Sequence, residues 1–159
     1  MTEPMDSHRF RHTMSHLPTA VTVVTARDQA GAFHGLTVSA VTSLSLQPPM
    51  LLVCIDHDAT VHDLLVNCEF FGVHVLAENQ DGLARRFAER DQHRFEHHGD
   101  LSPFGLPLLA GAVAHIDAQR GTVLPGGDHS IITAAVAWSR TNGGAPLIYN
   151  RSAYAGLKR

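Results

Sequence analysis

Hydrophobic and polar residues alternate most clearly between residues 34 and 55 of this chain. From residue 36 to residue 46 the even positions are mostly apolar, as in an extended strand that buries one face. So long a run predicts a bend or bulge within the strand. The other face is either the solvated side of an amphipathic strand or a docking strip for a ligand that carries phosphate, because hydroxyls donate hydrogen bonds without filling space. The residues of this face are Thr37, Ser39, Val41, Ser43 and Ser45.

Apolar runs on either side of this strip predict further strands. Residues 20–26 are rich in β-branched side chains, and the turn-forming residues 28–31 join them to the strip as a hairpin. Residues 47–49 contain two prolines, which have no N–H for a ladder and therefore end the strip. The continuous apolar run 50–55 then predicts a strand that is buried on both faces.

Three segments have the spacing and capping residues of helices. The first covers residues 6–16 and ends before a proline. The second is a short helix over residues 61–67. The third begins after Asn79 as its N-cap and ends near residue 90, with Leu83 and Phe87 as an i, i+4 core pair.

The rest of the chain consists mainly of strands that follow one another. Gly72, inside the first of them, predicts a bulge or a close approach of another group. Residues 91–107 read as a long loop and residues 121–128 as a turn-rich connection. The predicted strands cover residues 69–76, 111–119, 130–139 and 147–150.

This succession predicts a mostly β protein. About six or seven strands with few intervening helices favour an antiparallel barrel decorated by short helices over a doubly wound sheet. We expect one domain over residues 1–159, with an N-terminal helix in residues 1–18, the barrel in residues 19–150 and a polar tail in residues 151–159.

Composition excludes several function classes. The formal net charge is −3 and no basic run is longer than Arg85-Arg86, which argues against a nucleic-acid surface. Cys54 and Cys68 are the two cysteines and form no CxxC pair, as expected for a reduced, cytoplasmic protein. Neither a signal peptide nor an apolar run of about 20 residues is present, so no membrane association is expected.

Histidine is unusually frequent, with 12 residues. His8, His12 and His16 share one side of the predicted first helix, and Phe10 lies on the opposite side. We therefore interpret the histidine row as an exposed face. A second group of histidines occurs at residues 93, 97 and 98, but no HExxH motif is found, and we expect no metal site.

The usual signatures of nucleotide binding and acyl transfer are missing. The chain has no GxGxxG, no GxxxxGK[ST] and no GxSxG, and Cys54 lies in an apolar strand, where a thiol is normally an inert core group. Two features remain. A Gly-Gly-Asp turn precedes His129, and the third helix carries Arg85 and Arg86, either of which could bind a phosphate through two hydrogen bonds.

These segments together resemble a known family. In this order the chain contains PTAVTVVTA, GLTVSAVTSLSLQPP, MLLVCI, RRFA, GGDH and PLIYNRSAY. The same order is seen in the short-chain flavin reductases, the NAD(P)H:flavin oxidoreductases that supply reduced flavin to two-component monooxygenases. The resemblance extends from about Phe10 to about Tyr154.

The resemblance implies an antiparallel, Greek-key-like split β-barrel that binds FMN or FAD and works as a homodimer. NADH or NADPH would donate the hydride directly from nicotinamide C4 to flavin N5, and a partner monooxygenase would receive the reduced flavin. This chemistry needs no nucleophile or general base from the protein.

The resemblance also assigns roles to individual residues. His129 would contact the nicotinamide, with Gly127 and Asp128 shaping its approach. The flavin ring would lie against Thr37, Val38, Ser39 and Ala40, with main-chain contacts from Cys54, Ile55 and Asp56. Further contacts to the loop and the phosphate would come from Ser43, Ser45, Thr60, Arg86 and Phe87.

Two other functions fit the same residues. One is a split-barrel protein that retains FMN and reduces another acceptor, such as a cobalamin or a ferric chelate. The other is a non-enzymatic flavin-binding dimer, because Ala134 and Ala135 stand where the family usually has a glycine and an acid.

Overall fold

The computed structural model describes residues 5–89, 95 and 98–157. Within these residues the chain forms three short helices and twelve strands, so the predicted mostly β fold is confirmed and the number of strands was underestimated. The helices are α1 (Ser7–Met14), α2 (His62–Asn67) and α3 (Asp81–Ala88). The strands are β1 (Thr19–Ala20), β2 (Thr22–Arg27), β3 (Phe33–Val38), β4 (Val41–Leu46), β5 (Pro49–Asp56), β6 (Phe70–Val75), β7 (His98–Leu101), β8 (Pro107–Leu109), β9 (Ala114–Gly126), β10 (His129–Thr141), β11 (Leu147–Asn150) and β12 (Ala153–Gly156).

Seven strands form the main sheet, in the order β3-β2-β6-β9-β10-β5-β4. Every neighbouring pair in this sheet is antiparallel. Strands β1, β11 and β12 form a small second sheet, and β7 pairs with β8. No helix among the described residues is long and apolar enough to cross a membrane.

Two apolar clusters hold these elements together. The first lies on the inner face of the main sheet and includes Val53, Phe71 and Ile132, each about 1% exposed. The second lies beneath α3, where Phe87 and Ala84 pack with residues of the second sheet and β8. The α2 prediction is confirmed, since Val61 and Leu65 are buried in the first cluster.

The helix ends agree with the sequence except at α3. Asp6 caps α1, and its carboxylate accepts hydrogen bonds from the backbone N–H groups of His8 and Arg9. The N-cap of α3 is Gln80 rather than Asn79, and its side chain does not cap the helix. The amide of Gln80 instead bridges the Ala77 N–H and the Ala110 carbonyl.

The strip of alternating residues is two strands rather than one. The chain bends at Ser39 and Ala40, between β3 and β4, as the length of the run predicted. The expected burial of its even positions fails in β4, where Leu44 is 47% and Leu46 82% exposed. The reason is that β4 is an edge strand of the main sheet, with a register shift between Ser43 and Ser45.

Strand β5 was predicted to be buried on both faces, and this prediction is wrong. Leu51, Val53 and Ile55 are buried, whereas Leu52 and Cys54 are only partly so. The cause is that the second face of β5 borders a cavity instead of another layer of the protein.

Three segments predicted as loops or tail contain strands. The predicted connection over residues 121–128 belongs to β9, which pairs with β10 up to Gly126 and His129 because Gly127, at φ +75°, closes a tight turn. Part of the predicted loop over residues 91–107 forms the β7–β8 hairpin, and the predicted tail contains β12, paired with β11.

Outside the first cluster, β2, β6 and β9 carry a buried polar row, which consists of Thr25, His74, His115 and Asp117. All four are at most 1% exposed. His74 bonds through Nε2 to the Thr25 hydroxyl at 2.9 Å and through Nδ1 to His115 Nδ1 at 2.9 Å. Gly72 is confirmed as a close approach, because a Cβ there would lie 2.6 Å from Thr25 Oγ1.

Asp117 is the exceptional member of this row. Neither of its carboxylate oxygens has a hydrogen bond of ordinary geometry within the described part of the chain. Burial raises the pKa of Asp117, and the Ser102 hydroxyl and the backbone of Phe104 act in the opposite direction.

Histidines of the two sequence clusters are not gathered into a metal site by the described residues. The side chains of α1 form no buried face, which agrees with an exposed histidine row. The candidate ligands His93 and His97 lie outside the described ranges. Within those ranges no three histidine, cysteine, aspartate or glutamate side chains converge as ligands.

Candidate functional site

The bend between β3 and β4 borders a cavity of about 640 Å³, a volume in the usual range for small-molecule sites. Ser39 and Ala40 lie in the bend, outside the strand ladder. The Ala40 carbonyl accepts a hydrogen bond from the Cys54 N–H at 3.0 Å, which ties the bend to β5. The described lining of this cavity consists of Arg11, Met14, Ser15, Leu17, Thr19, Ser39, Ala40, Val41, Thr42, Leu52, Cys54, Tyr149 and Ser152.

A smaller cavity of about 140 Å³ shares Ser39 and Tyr149 with the first. Thr37 and Tyr154 also line it. The Thr37 hydroxyl donates a hydrogen bond to the Ala84 carbonyl of α3 at 2.6 Å. The two cavities adjoin each other at these shared residues, and together they are called the recess.

An arginine of α3 approaches the small end of this recess. The guanidinium carbon of Arg85 lies 4.9 Å from the centre of the Tyr154 ring, a cation–π distance. Burial raises the pKa of Tyr154 and the charge of Arg85 lowers it in part. Arg86, the arginine singled out from the sequence, is partly buried and does not line either cavity.

His129 lies at the end of the main sheet that Asp56 also reaches. Directly opposed residues of antiparallel strands share a face, and β10 places His129 opposite Asp56 and Ile131 opposite Cys54. His129 is therefore on the same face of the sheet as Cys54, displaced by two residues along the strands.

This end of the sheet also carries an Asp–His pair. His129 Nδ1 lies 2.6 Å from an Asp128 carboxylate oxygen, and this hydrogen bond lowers the pKa of Asp128. The Asp128 carbonyl also accepts the His57 N–H at 3.0 Å. The turn after Gly126 is thereby fastened to the loop after β5, which holds His129 in place.

The structure brings together some of the sequence-predicted residues and separates others. Thr37, Val38, Ser39, Ala40 and Cys54 all line the recess.

Ser43 and Ser45 lie farther along β4 and do not line either cavity. Ile55 points into the first apolar cluster, so a main-chain contact is the one role left to it. Thr60 and Phe87 line a separate cavity of about 200 Å³ near the end of α3.

Several lining residues were not identified from the sequence. Tyr149 and Tyr154 belong to the PLIYNRSAY segment, so that motif held the signal for them. Ser152 lies in the same segment, whereas Arg11 and Ser15 had no comparable signal, because only the folded chain brings α1 to the bend.

Comparisons with known proteins agree with this architecture. A family model described as "Flavin reductase like domain" matches residues 14–158. The reductase component of 4-nitrophenol 4-monooxygenase/4-nitrocatechol 2-monooxygenase from Rhodococcus opacus is 35% identical over 156 residues, covering 96% of this chain and 82% of the relative. A flavin reductase (NADH) from Kitasatospora aureofaciens is 38% identical, covering 95% of this chain and 82% of the relative.

Solved structures show the same likeness. The NADH:FAD oxidoreductase of Streptomyces globisporus C-1027, solved in complex with NAD and FAD fragments, has a TM-score of 0.91 and 31% identity. The match covers 99% of this chain and 96% of that chain. The fold is thus the split barrel of these structures, as the sequence motifs implied.

The split barrel is the fold of the solved flavin reductases to which the chain is similar. Among proteins with this fold, the chain belongs to the flavin reductase-like domain family. The family predicted from the sequence motifs is confirmed.

Proposed function

We propose that this protein is an oxidoreductase that reduces FMN or FAD with NADH and supplies the reduced flavin to a monooxygenase. The observation that carries the proposal is the recess at the β3–β4 bend, formed by the segment that the sequence motifs marked as the flavin strip. Relatives named as NADH-dependent flavin reductases and as monooxygenase reductase components support the choice of donor and acceptor.

The recess is suited to a flavin. Its wall at Ser39 and Ala40 has little side-chain bulk, so a flat ring can approach the backbone closely. Leu52 and Met14 supply apolar surface for the ring, and hydroxyls of the lining can bond its polar edge. A bound flavin would supply hydride acceptance at its ring, and the residues of this chain bind, orient and shield it from water.

We assign the other predicted residues to supporting roles. Cys54 and Asp56 offer main-chain groups along the ring edge, and Ile55 joins them through its backbone. His129, on the same sheet face as Cys54, is positioned to contact the nicotinamide, with Gly127 and Asp128 fixing its turn.

The phosphate of the flavin is assigned to the α3 end of the recess. Arg85 is held there by Tyr154, and Arg86 follows it on the same helix. Ser43, Ser45, Thr60 and Phe87 lie outside the recess, and their contacts to the loop and the phosphate stay predictions.

A homodimer would complete the site. Leu44, Leu46 and Leu124 are each at least 45% exposed, and β4 is an edge of the main sheet, so a second copy would cover apolar surface that is costly to leave in water. We also propose that the whole chain is one domain and that it acts in the cytoplasm, where its two free cysteines would stay reduced.

The test is anaerobic oxidation of NADH and NADPH in the presence of FMN, FAD or riboflavin, followed by absorbance. Replacing His129 by Ala should raise the KM for the reduced nicotinamide about tenfold and leave flavin affinity within about twofold, as expected for the loss of one charged or polar contact. His8→Ala, at the exposed start of α1, is the matched control. Absence of flavin reduction by the wild type would refute the proposal, and unchanged nicotinamide dependence in His129→Ala would refute the role of His129.

A further inference from the structure

A hydrogen-bonded chain of three side chains links α2 to the start of β10. The Nε2 atom of His62 lies 2.9 Å from the Ser130 hydroxyl oxygen, and its Nδ1 atom lies 3.0 Å from a carboxylate oxygen of Asp63. A carboxylate only accepts hydrogen bonds, so Nδ1 donates to Asp63 and the neutral ring accepts the Ser130 hydroxyl at Nε2. The bond to Asp63 thus keeps the ring in the form that binds Ser130.

The Ser130 end of this chain is the part that the protein encloses. Ser130 is 8% exposed and the side chain of His62 15%, whereas that of Asp63 is 98% exposed. The same order of groups occurs in hydrolases with a serine nucleophile, but the enclosed hydroxyl leaves little room for a substrate. A buried hydroxyl without a partner is costly, so the bond to His62 serves to attach β10 to α2.

This attachment lies directly beside His129. Successive side chains of a strand point to opposite faces, so Ser130 points to the inner face, where Ile132 is buried and α2 packs. His129 points to the other face, which it shares with Cys54. A bond at Ser130 therefore fixes the backbone from which His129 projects and leaves the His129 side chain uncovered.

The loop between β5 and α2 holds the same turn at a second point. The His57 N–H donates to the Asp128 carbonyl at 3.0 Å. The ring centres of His57 and His62 lie 5.2 Å apart with their planes at 82°, which is an edge-to-face contact. The two residues that flank His129 are thus both bonded to this segment, Asp128 through its carbonyl and Ser130 through its hydroxyl.

We propose that His62 is a positioning residue for hydride transfer: by holding Ser130, it orients His129 toward the nicotinamide. This inference rests on the proposed function, in which His129 contacts the nicotinamide. His62 is not among the described residues that line the recess. Its effect on catalysis therefore passes through His129 and not through the flavin.

The experiment is a double-mutant cycle between His62→Ala and His129→Ala, in which the KM for NADH and the flavin affinity are measured for each variant. In the wild-type background His62→Ala should raise the KM about fivefold, as expected for the loss of one hydrogen bond, with flavin affinity changed by less than about twofold. In the His129→Ala background the same substitution should change the KM by less than about twofold, because no side chain is left to be positioned. His62→Gln, whose amide can still bond Ser130, should restore most of the wild-type KM.

Two further variants complete the design. Ser130→Ala breaks the bond from its other side and should reproduce the effect of His62→Ala, so the test does not depend on the folding of one variant. His34→Ala is the matched control, because His34 also bonds a carboxylate, that of Asp28 at 2.8 Å, but lies on β3, which β2, β6 and β9 separate from β10. It should leave the KM for NADH unchanged.

Amide hydrogen exchange gives a readout that does not depend on turnover. Exchange of the His57 N–H, which bonds the turn, should be several-fold faster in His62→Ala than in the wild type and unchanged in His34→Ala. The inference would be overturned by unchanged exchange, by an unchanged KM in both His62→Ala and Ser130→Ala, or by an equal rise in KM when His129 is already alanine. Failure of the wild type to oxidise NADH with any flavin would refute the proposed function instead, and is visible before any variant is made.

Discussion

Two regions outside the apolar clusters carry polar side chains, and they differ in how far these side chains are exposed to solvent and hydrogen-bonded within the protein. The recess at the β3–β4 bend is open, and its Ser39 hydroxyl makes no hydrogen bond with described residues. In the buried polar row, by contrast, Thr25, His74 and His115 are sealed from water and bonded to one another.

The difference follows from what replaces water in each place. A polar group that stays in contact with solvent or ligand needs no partner in the protein, whereas a buried one loses stability unless it is hydrogen-bonded. The recess is therefore open to a ligand, whereas the buried polar row holds β2, β6 and β9 in a fixed arrangement. Substitutions in the two regions should separate stability from activity.

The largest effect on stability is expected from Gly72→Ala. Its new Cβ would lie 2.6 Å from Thr25 Oγ1 and 3.0 Å from His74 Nε2, so the buried polar row would have to shift. We expect a loss of about 3 kcal/mol in the free energy of unfolding, the upper range for overpacking, measured by urea denaturation.

Gly82→Ala is the matched control for this substitution. Gly82 lies in α3, and apart from its chain neighbours and the backbone of its own helix no atom lies within 4 Å of its ideal Cβ position. Alanine there should stabilise the helix by about 0.5 kcal/mol. Equal stability of Gly72→Ala and the wild type would show that the buried polar row is loosely packed.

The second effect is a loss of stability in mild acid. Burial lowers the pKa of both His74 and His115 below the ordinary value of 6.5. As the pH falls below 6.5, the unfolded chain binds protons that the folded protein does not, and the free energy of unfolding decreases. Between about pH 7.5 and pH 5.5 each histidine should remove about 1.4 kcal/mol.

Asp117 has the opposite effect on the pH dependence of stability. Because its pKa is raised by burial, its contribution to stability is greatest at low pH and is lost as the pH rises through the folded-state pKa. Asp117→Asn should therefore be more stable than the wild type near neutral pH and lose stability more steeply in acid.

Urea midpoints over a series of pH values test both signs. His115→Gln should show about half of the acid slope that the histidine pair causes, and His12→Gln, on the exposed helix α1, should keep the full slope. A pH profile that is identical in His115→Gln and the wild type would contradict the assignment.

The sequence predicted the recess better than it predicted the buried polar row. Alternation of hydroxyl and apolar residues is a local pattern, and it correctly marked Ser39 as part of an accessible surface. His74 and His115 are 41 residues apart, and their contact depends on the pairing of β6 with β9. No local pattern specifies such a pairing, so the row could not be foreseen.

Errors in the fold have similar causes. The position of Leu46 was predicted from strict alternation, but the register shift in the edge strand β4 exposes it. Helix α1 was located correctly, yet the contact of Arg11 with the recess depends on the turn at Arg151. Sequence patterns predicted the elements, and tertiary contacts decided which of their side chains reach the site.

The smallest effect on stability is expected at the recess itself. Ser39→Ala removes a hydroxyl from an exposed position, and such changes usually alter the free energy of unfolding by less than about 0.5 kcal/mol. If Ser39 donates to the flavin, the same change should weaken flavin binding roughly fivefold, the loss typical of one neutral hydrogen bond. Urea denaturation and fluorescence titration measure the two quantities on the same protein.

Thr25→Val provides the reverse case. It removes the hydroxyl that bonds His74 at 2.9 Å and should cost about 1–2 kcal/mol of stability while leaving flavin affinity unchanged, because Thr25 does not line the recess. The two substitutions together form a crossed test: each should move one quantity and spare the other. Two outcomes would contradict the independence of the two regions: a loss of stability in Ser39→Ala as large as in Thr25→Val, or a loss of flavin affinity in Thr25→Val. In either case the recess could not be described as an open surface on a rigid barrel.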